Sequence, residues 1–115
     1  MNPVTLYGLK ACDTCRKAVK ALEAGGRAVR VVDVRAEADL PAKLPGWLDA
    51  VGADTLVNTR STTWRGLSET ERAKKDADPA SLLAEHPALI KRPVIEADGR
   101  VFAGWTKDVQ AALGV

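Results

Sequence analysis

At 115 residues the chain is long enough for one domain with its own core, without metal or disulfide staples. Its composition, 46% hydrophobic and 28% charged, is that of a globular protein, and no apolar run reaches the length of a membrane span. The net charge of +2, with no block of lysines and arginines beside aromatics, excludes a dedicated nucleic-acid-binding face.

The opening MNPVTLYGLK has no basic leader followed by an apolar segment, so a cytoplasmic location is expected. "VTLYG" (Val4 to Gly8) is short, rich in β-formers and closed by glycine, which predicts a buried first strand. Cys15, Val19 and Leu22 then fall at helical spacing, with Arg16, Lys17, Lys20 and Glu23 on the opposite face, until Gly25 and Gly26 stop the helix. "RAVRVVDV" (Arg27 to Val34) reads as a parallel, largely covered strand, completing a βαβ unit. Leu40, Leu44, Trp47, Leu48 and Val51 form one helical stripe ended by Gly52, although Pro41 and Pro45 blur its start. "NTRSTTWRGL" is a polar stretch without periodicity and reads as a loop. Ser68 with Glu71 predicts a capping box, and Asp78, Pro79 and Pro87 bracket another helix. From Pro93 two short β runs flank Asp98-Gly99, a hairpin dipeptide, and Thr106 caps a last helix bearing Val109 and Leu113. The order is βαβ, a helical insert over about residues 39 to 90, then ββα, in a single domain of residues 1 to 115.

The two cysteines of the chain, Cys12 and Cys15, stand three apart in "ACDTCRK". In a reducing compartment such a pair points to redox, catalytic or metal chemistry more than to a permanent staple. A strand ending at Gly8 and a helix beginning near Asp13 set the Cys12 sulfur beside unpaired backbone N–H groups and the positive end of the helix dipole, which favours a thiolate. Lys10, Arg16 and Lys17 add positive charge in the sequence nearby. A pKa drop of about two units raises the thiolate fraction roughly 20-fold but costs about 10-fold in intrinsic nucleophilicity, so attack gains only a few-fold. The larger benefits are a better leaving group in a mixed disulfide and a positive surround that positions an anionic substrate. Cys15, one turn on, is either the resolving thiol or a small core residue in its stripe. A structural zinc site needs four ligands, and two cysteines with the single His86 do not supply them, so no metal is expected.

Arg60 in the polar stretch and Arg92 before Pro93 are, taken singly, ordinary solvated arginines. Beside a helix-start thiolate they offer the planar, permanently charged forks that an anion site needs. At these residues the sequence resembles a known family. "VTLYGLKACDTCRKA", "LVNTRSTTW" and "HPALIKRPVI" are similar to the signature stretches of the ArsC (arsenate reductase) family of thioredoxin-like proteins, especially the YffB-type reductases and more distantly the Spx-type regulators. The resemblance implies an α/β thioredoxin-like fold with a mixed four-stranded sheet. It implies Cys12 as nucleophile, Arg60 and Arg92 around the substrate, Lys10 and Thr14 as further substrate contacts, and Pro93 as a cis proline facing the cysteine. Cys15, which Spx-type proteins share, departs from the one-cysteine arsenate reductases and opens the reading of the pair as a switch. It further implies a thiol-dependent reductase with no bound cofactor, glutathione as co-substrate, a small thiol or oxyanion as substrate and a monomeric state. The alternative it carries is a redox-sensing regulator that binds RNA polymerase through protein contacts, for which a longer tail is expected. Arsenate reductases of this family carry a third arginine in an Arg-Pro pair after the last strand. Gly104-Trp105 stands here instead, which argues against arsenate itself.

Overall fold

The computed structural model describes residues 3–115. Two compact units make up the chain, one formed by the segment up to Ala38 together with Arg92–Val115, the other by Asp39–Lys91.

The first unit is built on a four-stranded mixed sheet in the order β2-β1-β3-β4. β1 (Val4–Gly8) pairs in parallel with β2 (Val29–Asp33) and antiparallel with β3 (Val94–Ala97). β3 returns as β4 (Arg100–Ala103) through Asp98 and Gly99, whose φ values of 54° and 76° are those a two-residue hairpin requires. Between β1 and β2 runs α1 (Asp13–Ala24), which buries Cys15, Ala18 and Leu22 along one stripe. α7 (Lys107–Leu113) is capped by the Thr106 hydroxyl, which accepts from the Val109 N–H at 3.2 Å. Val4, Leu6, Leu22, Ile95, Phe102 and Leu113 close into one apolar core with the Cys15 side chain among them.

The valine-rich second strand departs from the sequence expectation. It is parallel to β1, but it is an edge strand, and Val31 is 44% exposed. Apolar composition suggested a covered strand, whereas coverage depends on which neighbours the topology supplies, and β2 has only β1.

The second unit is helical. α2 (Leu40–Val51) begins at an Asp39 cap with Pro41 in its first turn and tolerates the exposed Pro45 while burying Leu44 and Trp47. It packs against α6 (Pro79–Glu85), itself capped by Asp78, and α6 against α5 (Glu69–Ala77), where Ser68 accepts from the Glu71 N–H at 3.2 Å. The stretch expected to be a loop contains α4 (Thr62–Arg65), whose Ser61 cap accepts from the Trp64 N–H at 3.1 Å. α3 (Ala53–Leu56) and a 3-10 turn over Pro87–Leu89 also lack any periodic signal; a Val57–Ile90 bridge ties their ends. None of the described helices is long and apolar enough to cross a membrane.

Leu22 is fully buried in the first unit, so Leu22→Ala is expected to cost about 2–5 kcal/mol. Urea denaturation with an unchanged slope is the check; a loss below about 0.5 kcal/mol contradicts this packing.

Candidate functional site

The site grows from the C-terminal end of β1. After Gly8 the chain makes a tight turn, closed by the Cys12 N–H donating to the Leu9 carbonyl at 3.0 Å, and enters α1 with Cys12 as N-cap. Cys12 has extended backbone geometry and is half-buried; Cys15, one turn along, is 3% exposed. Both thiols are free. Antiparallel pairing of β3 with β1 sets Val94 opposite Tyr7, so the residues just before β3 arrive at the same end of β1 as the cysteine turn. Those residues are Arg92 and Pro93, joined by a cis peptide bond.

Opposing effects act on the Cys12 sulfur. Partial burial pushes its pKa up, but the Cys15 thiol, the Cys15 backbone N–H and the Arg92 guanidinium together outweigh that and hold it below the ordinary 9.0. The sulfur closes no complete capping hydrogen bond, so the Cys15 amide acts on it as a longer polar contact, reinforced by the positive end of α1. Cys15 is driven the other way, to about 11, chiefly by burial and further by the neighbouring Cys12, with a Leu9 backbone contact opposing. The pair is therefore polarised: Cys12 is the thiol that ionises more readily and Cys15 the one that holds its proton.

Arg92 is the cation that acts on Cys12. The positive charges expected from sequence neighbours are directed elsewhere, because Arg16 pairs with Asp13 within the first turn of α1 and Lys10 lies in the exposed turn. Thr14 is exposed in that same first turn, and Pro93 is buried directly after Arg92. Arg60 belongs to the second unit, exposed on a turn whose backbone N–H donates to the Asn58 side chain at 3.1 Å. Where the resemblance calls for a third arginine, Gly104 is buried at φ 84°, a conformation that disfavours any side chain, and its N–H donates to the Pro93 carbonyl at 2.8 Å. His86 lies with Glu71 and Glu85 in the second unit. Lys74 contacts both carboxylates, at 3.3 and 3.5 Å, and already supplies the positive charge there.

One functional residue escaped the sequence reading. A Cβ on Gly8 would sit 2.6 Å from the Cys15 sulfur, so the bare backbone of β1 makes the space that the Cys15 sulfur occupies. In the sequence Gly8 reads only as a strand terminator.

A helix-start cysteine beside a cis-proline loop, on a sheet with a βαβ and a ββα half, defines a thioredoxin-like thiol protein. The chain belongs to the ArsC family, whose model matches residues 7–113. It is 42% identical over 112 residues to an uncharacterized protein of Haemophilus influenzae, covering 96% of this chain and 98% of that one. A solved YFFB protein superposes with a TM-score of 0.84 at 36% identity, over 96% of this chain and 97% of that one. An arsenate reductase (ArsC) related protein from Brucella melitensis gives 0.76 at 34%, over 99% and 97%. The Bacillus subtilis global transcriptional regulator Spx is 29% identical over 107 residues, 91% of this chain and 82% of its own.

Gly8→Ala is expected to displace the Cys15 sulfur and raise the Cys12 pKa toward 9.0. Alkylation rates followed against pH should show this rise in the parent protein and not in a Cys15→Ala background. Equal rises in both backgrounds would mean that Gly8 acts by some route other than Cys15.

Proposed function

We propose that the protein is a thiol-dependent reductase that uses Cys12 as nucleophile and glutathione as co-substrate, acting on a small oxidised thiol or oxyanion in the cytoplasm. The observation that carries this reading is the Cys12 sulfur held below the usual thiol range beside Arg92. Membership of the ArsC family and the likeness to an arsenate reductase related protein support it.

With a disulfide substrate, the Cys12 thiolate attacks one sulfur, forms a mixed disulfide with it and expels the other half as a thiolate. Arg92 is assigned to the substrate's carboxylate or oxyanion groups, with Lys10, Thr14 and the Pro93 loop as further contacts; for Arg60 the same role rests on the family resemblance alone. A glutathione thiolate then attacks the substrate sulfur of the mixed disulfide, forming a glutathione–substrate disulfide and releasing Cys12 as a thiolate. A second glutathione thiolate attacks the glutathione sulfur of that disulfide, releasing the substrate thiolate and leaving oxidised glutathione. Two thiols supply the two electrons. Release favours Cys12 as leaving group because its thiolate is the stabilised one.

Cys15 offers a second way out. At a pKa of about 11 only about one Cys15 in 10,000 is ionised at neutral pH, so the resting pair does not close readily. Once Cys12 is in a mixed disulfide its charge is gone, and with it the part of the Cys15 elevation that Cys12 causes; burial remains. Glutathione therefore resolves the intermediate when abundant, and Cys15 does so slowly when it is scarce. Gly104 in place of an arginine leaves the anion cradle one donor short, which places arsenate low among the substrates.

A second reading rests on the same pair: a regulator that binds RNA polymerase through protein contacts and reports oxidation as a Cys12–Cys15 disulfide, favoured by the similarity to Spx.

Turnover of a glutathione mixed disulfide separates the two. Cys12→Ser is expected to abolish it, and Cys15→Ser to retain it with glutathione present. Arg92→Met should lower kcat/KM by about 10- to 100-fold, the loss of one charge-assisted hydrogen bond. The rate should rise with pH to a midpoint below 9.0, since protonation at lower pH removes the nucleophile, and Arg92→Met should move that midpoint up. Unchanged turnover in Cys12→Ser, or no turnover together with oxidation-dependent retention on polymerase, overturns the reductase.

A further inference from the structure

The edge formed by β2 carries a second surface, which adjoins the thiol site through Lys10 and Cys15. The Val4 N–H donates to the Ala28 carbonyl and the Val34 N–H to the Gly8 carbonyl, which fixes the alternation along the strand. Main-chain groups of residues 28, 30, 32 and 34 face β1, and those of Val29, Val31 and Asp33 face outward. Asp33 is already engaged: its N–H donates to the Glu37 side chain at 3.1 Å, and its carbonyl accepts from Glu37 and Ala38 at 2.9 and 3.0 Å. Val29 and Val31 are left with an open N–H and C=O each among the described residues.

On the face that β2 shares with α1 lies an open groove of about 450 Å³. Its floor includes Leu6, Val19 and Val31, and Lys10, Arg16 and Lys20 line it as well. Val31, 44% exposed, is an unusual large apolar side chain to leave in water on this protein. Arg16 is partly neutralised by Asp13, whereas Lys10 and Lys20 have no ion-pair partner among the described residues.

We propose that this edge docks an extended acidic segment of a partner protein as an added strand. Its main chain pairs with Val29 and Val31, one aliphatic side chain enters the groove, and its carboxylates face Lys10 and Lys20. Each feature selects against another occupant. A small anionic amphiphile fits the groove and the cations but leaves the strand edge unused. A second copy of this chain brings the same lysines to the same edge and is repelled.

The test follows amide NMR spectra while the capped peptide acetyl-Thr-Glu-Thr-Val-Thr-Glu-Thr-amide, which carries its two Glu and its Val on one face of an extended strand, is added at low ionic strength. Shifts confined to Val29–Asp33 and the outer side of α1, with slowed hydrogen exchange at Val29 and Val31, are expected. N-methylation of alternate peptide residues should abolish binding in one register only, because one parity carries the pairing amides. Lys20→Glu, an exposed change on α1 that leaves the fold intact, should weaken binding about tenfold. Val31→Glu should remove it, with the unchanged remainder of the spectrum certifying the fold. Absence of β2 shifts at millimolar peptide overturns the proposal. So does decanoate binding at the same residues while the peptide does not bind, or self-association through β2 in sedimentation.

Discussion

The contact between two sulfurs of unlike character is the interaction on which the site depends. Cys12 is half-buried at the head of a helix with a guanidinium beside it, and Cys15 is sunk in the core three residues later. Depth and partners together separate them: burial dominates at the inner thiol and is overcome at the outer one by the Cys15 contacts and Arg92. The inner thiol then stabilises the outer anion by donating to it, so the apolar core that raises one pKa indirectly lowers the other. The polarisation fixes which sulfur attacks and which waits.

The sheet makes that contact possible through two pieces of backbone far apart in the chain. β1 delivers the cysteine turn, and its antiparallel pairing with β3 delivers Arg92 and Pro93 to the same end. The missing side chain at Gly8 lets the Cys15 sulfur lie against the strand. An added methyl there meets sulfur at 2.6 Å, so the strand terminator is also part of the machinery that tunes Cys12.

Local chemistry was the legible part of the sequence. β1, the start of α1 at Asp13, the Ser68, Asp78 and Thr106 caps and the Asp98-Gly99 turn all follow from residues within four positions of one another. α3 and α4 are each a single turn, too short to show a period, although Ser61 three residues before Trp64 is a cap signal in hindsight. The edge position of β2 was hidden because four valines describe a strand's composition and say nothing about its neighbours. Cys12 was found by physical reasoning from the strand–helix junction. Arg92 needed the family resemblance, since its proximity depends on a pairing between residues nearly ninety positions apart. The lysines and Arg16 expected to serve Cys12 illustrate the converse: closeness in sequence put them on the exposed turn and helix face, where Asp13 takes Arg16, Lys10 borders the β2 groove and Lys17 is exposed.

Separate titration of the two cysteine side chains, read from their β-carbon chemical shifts in the reduced protein, tests the polarised pair most directly. The account predicts that Cys12 ionises first with a midpoint below 9.0 and that Cys15 follows near 11. Ionisation of Cys15 first, or of Cys12 at or above 9.0, would contradict it.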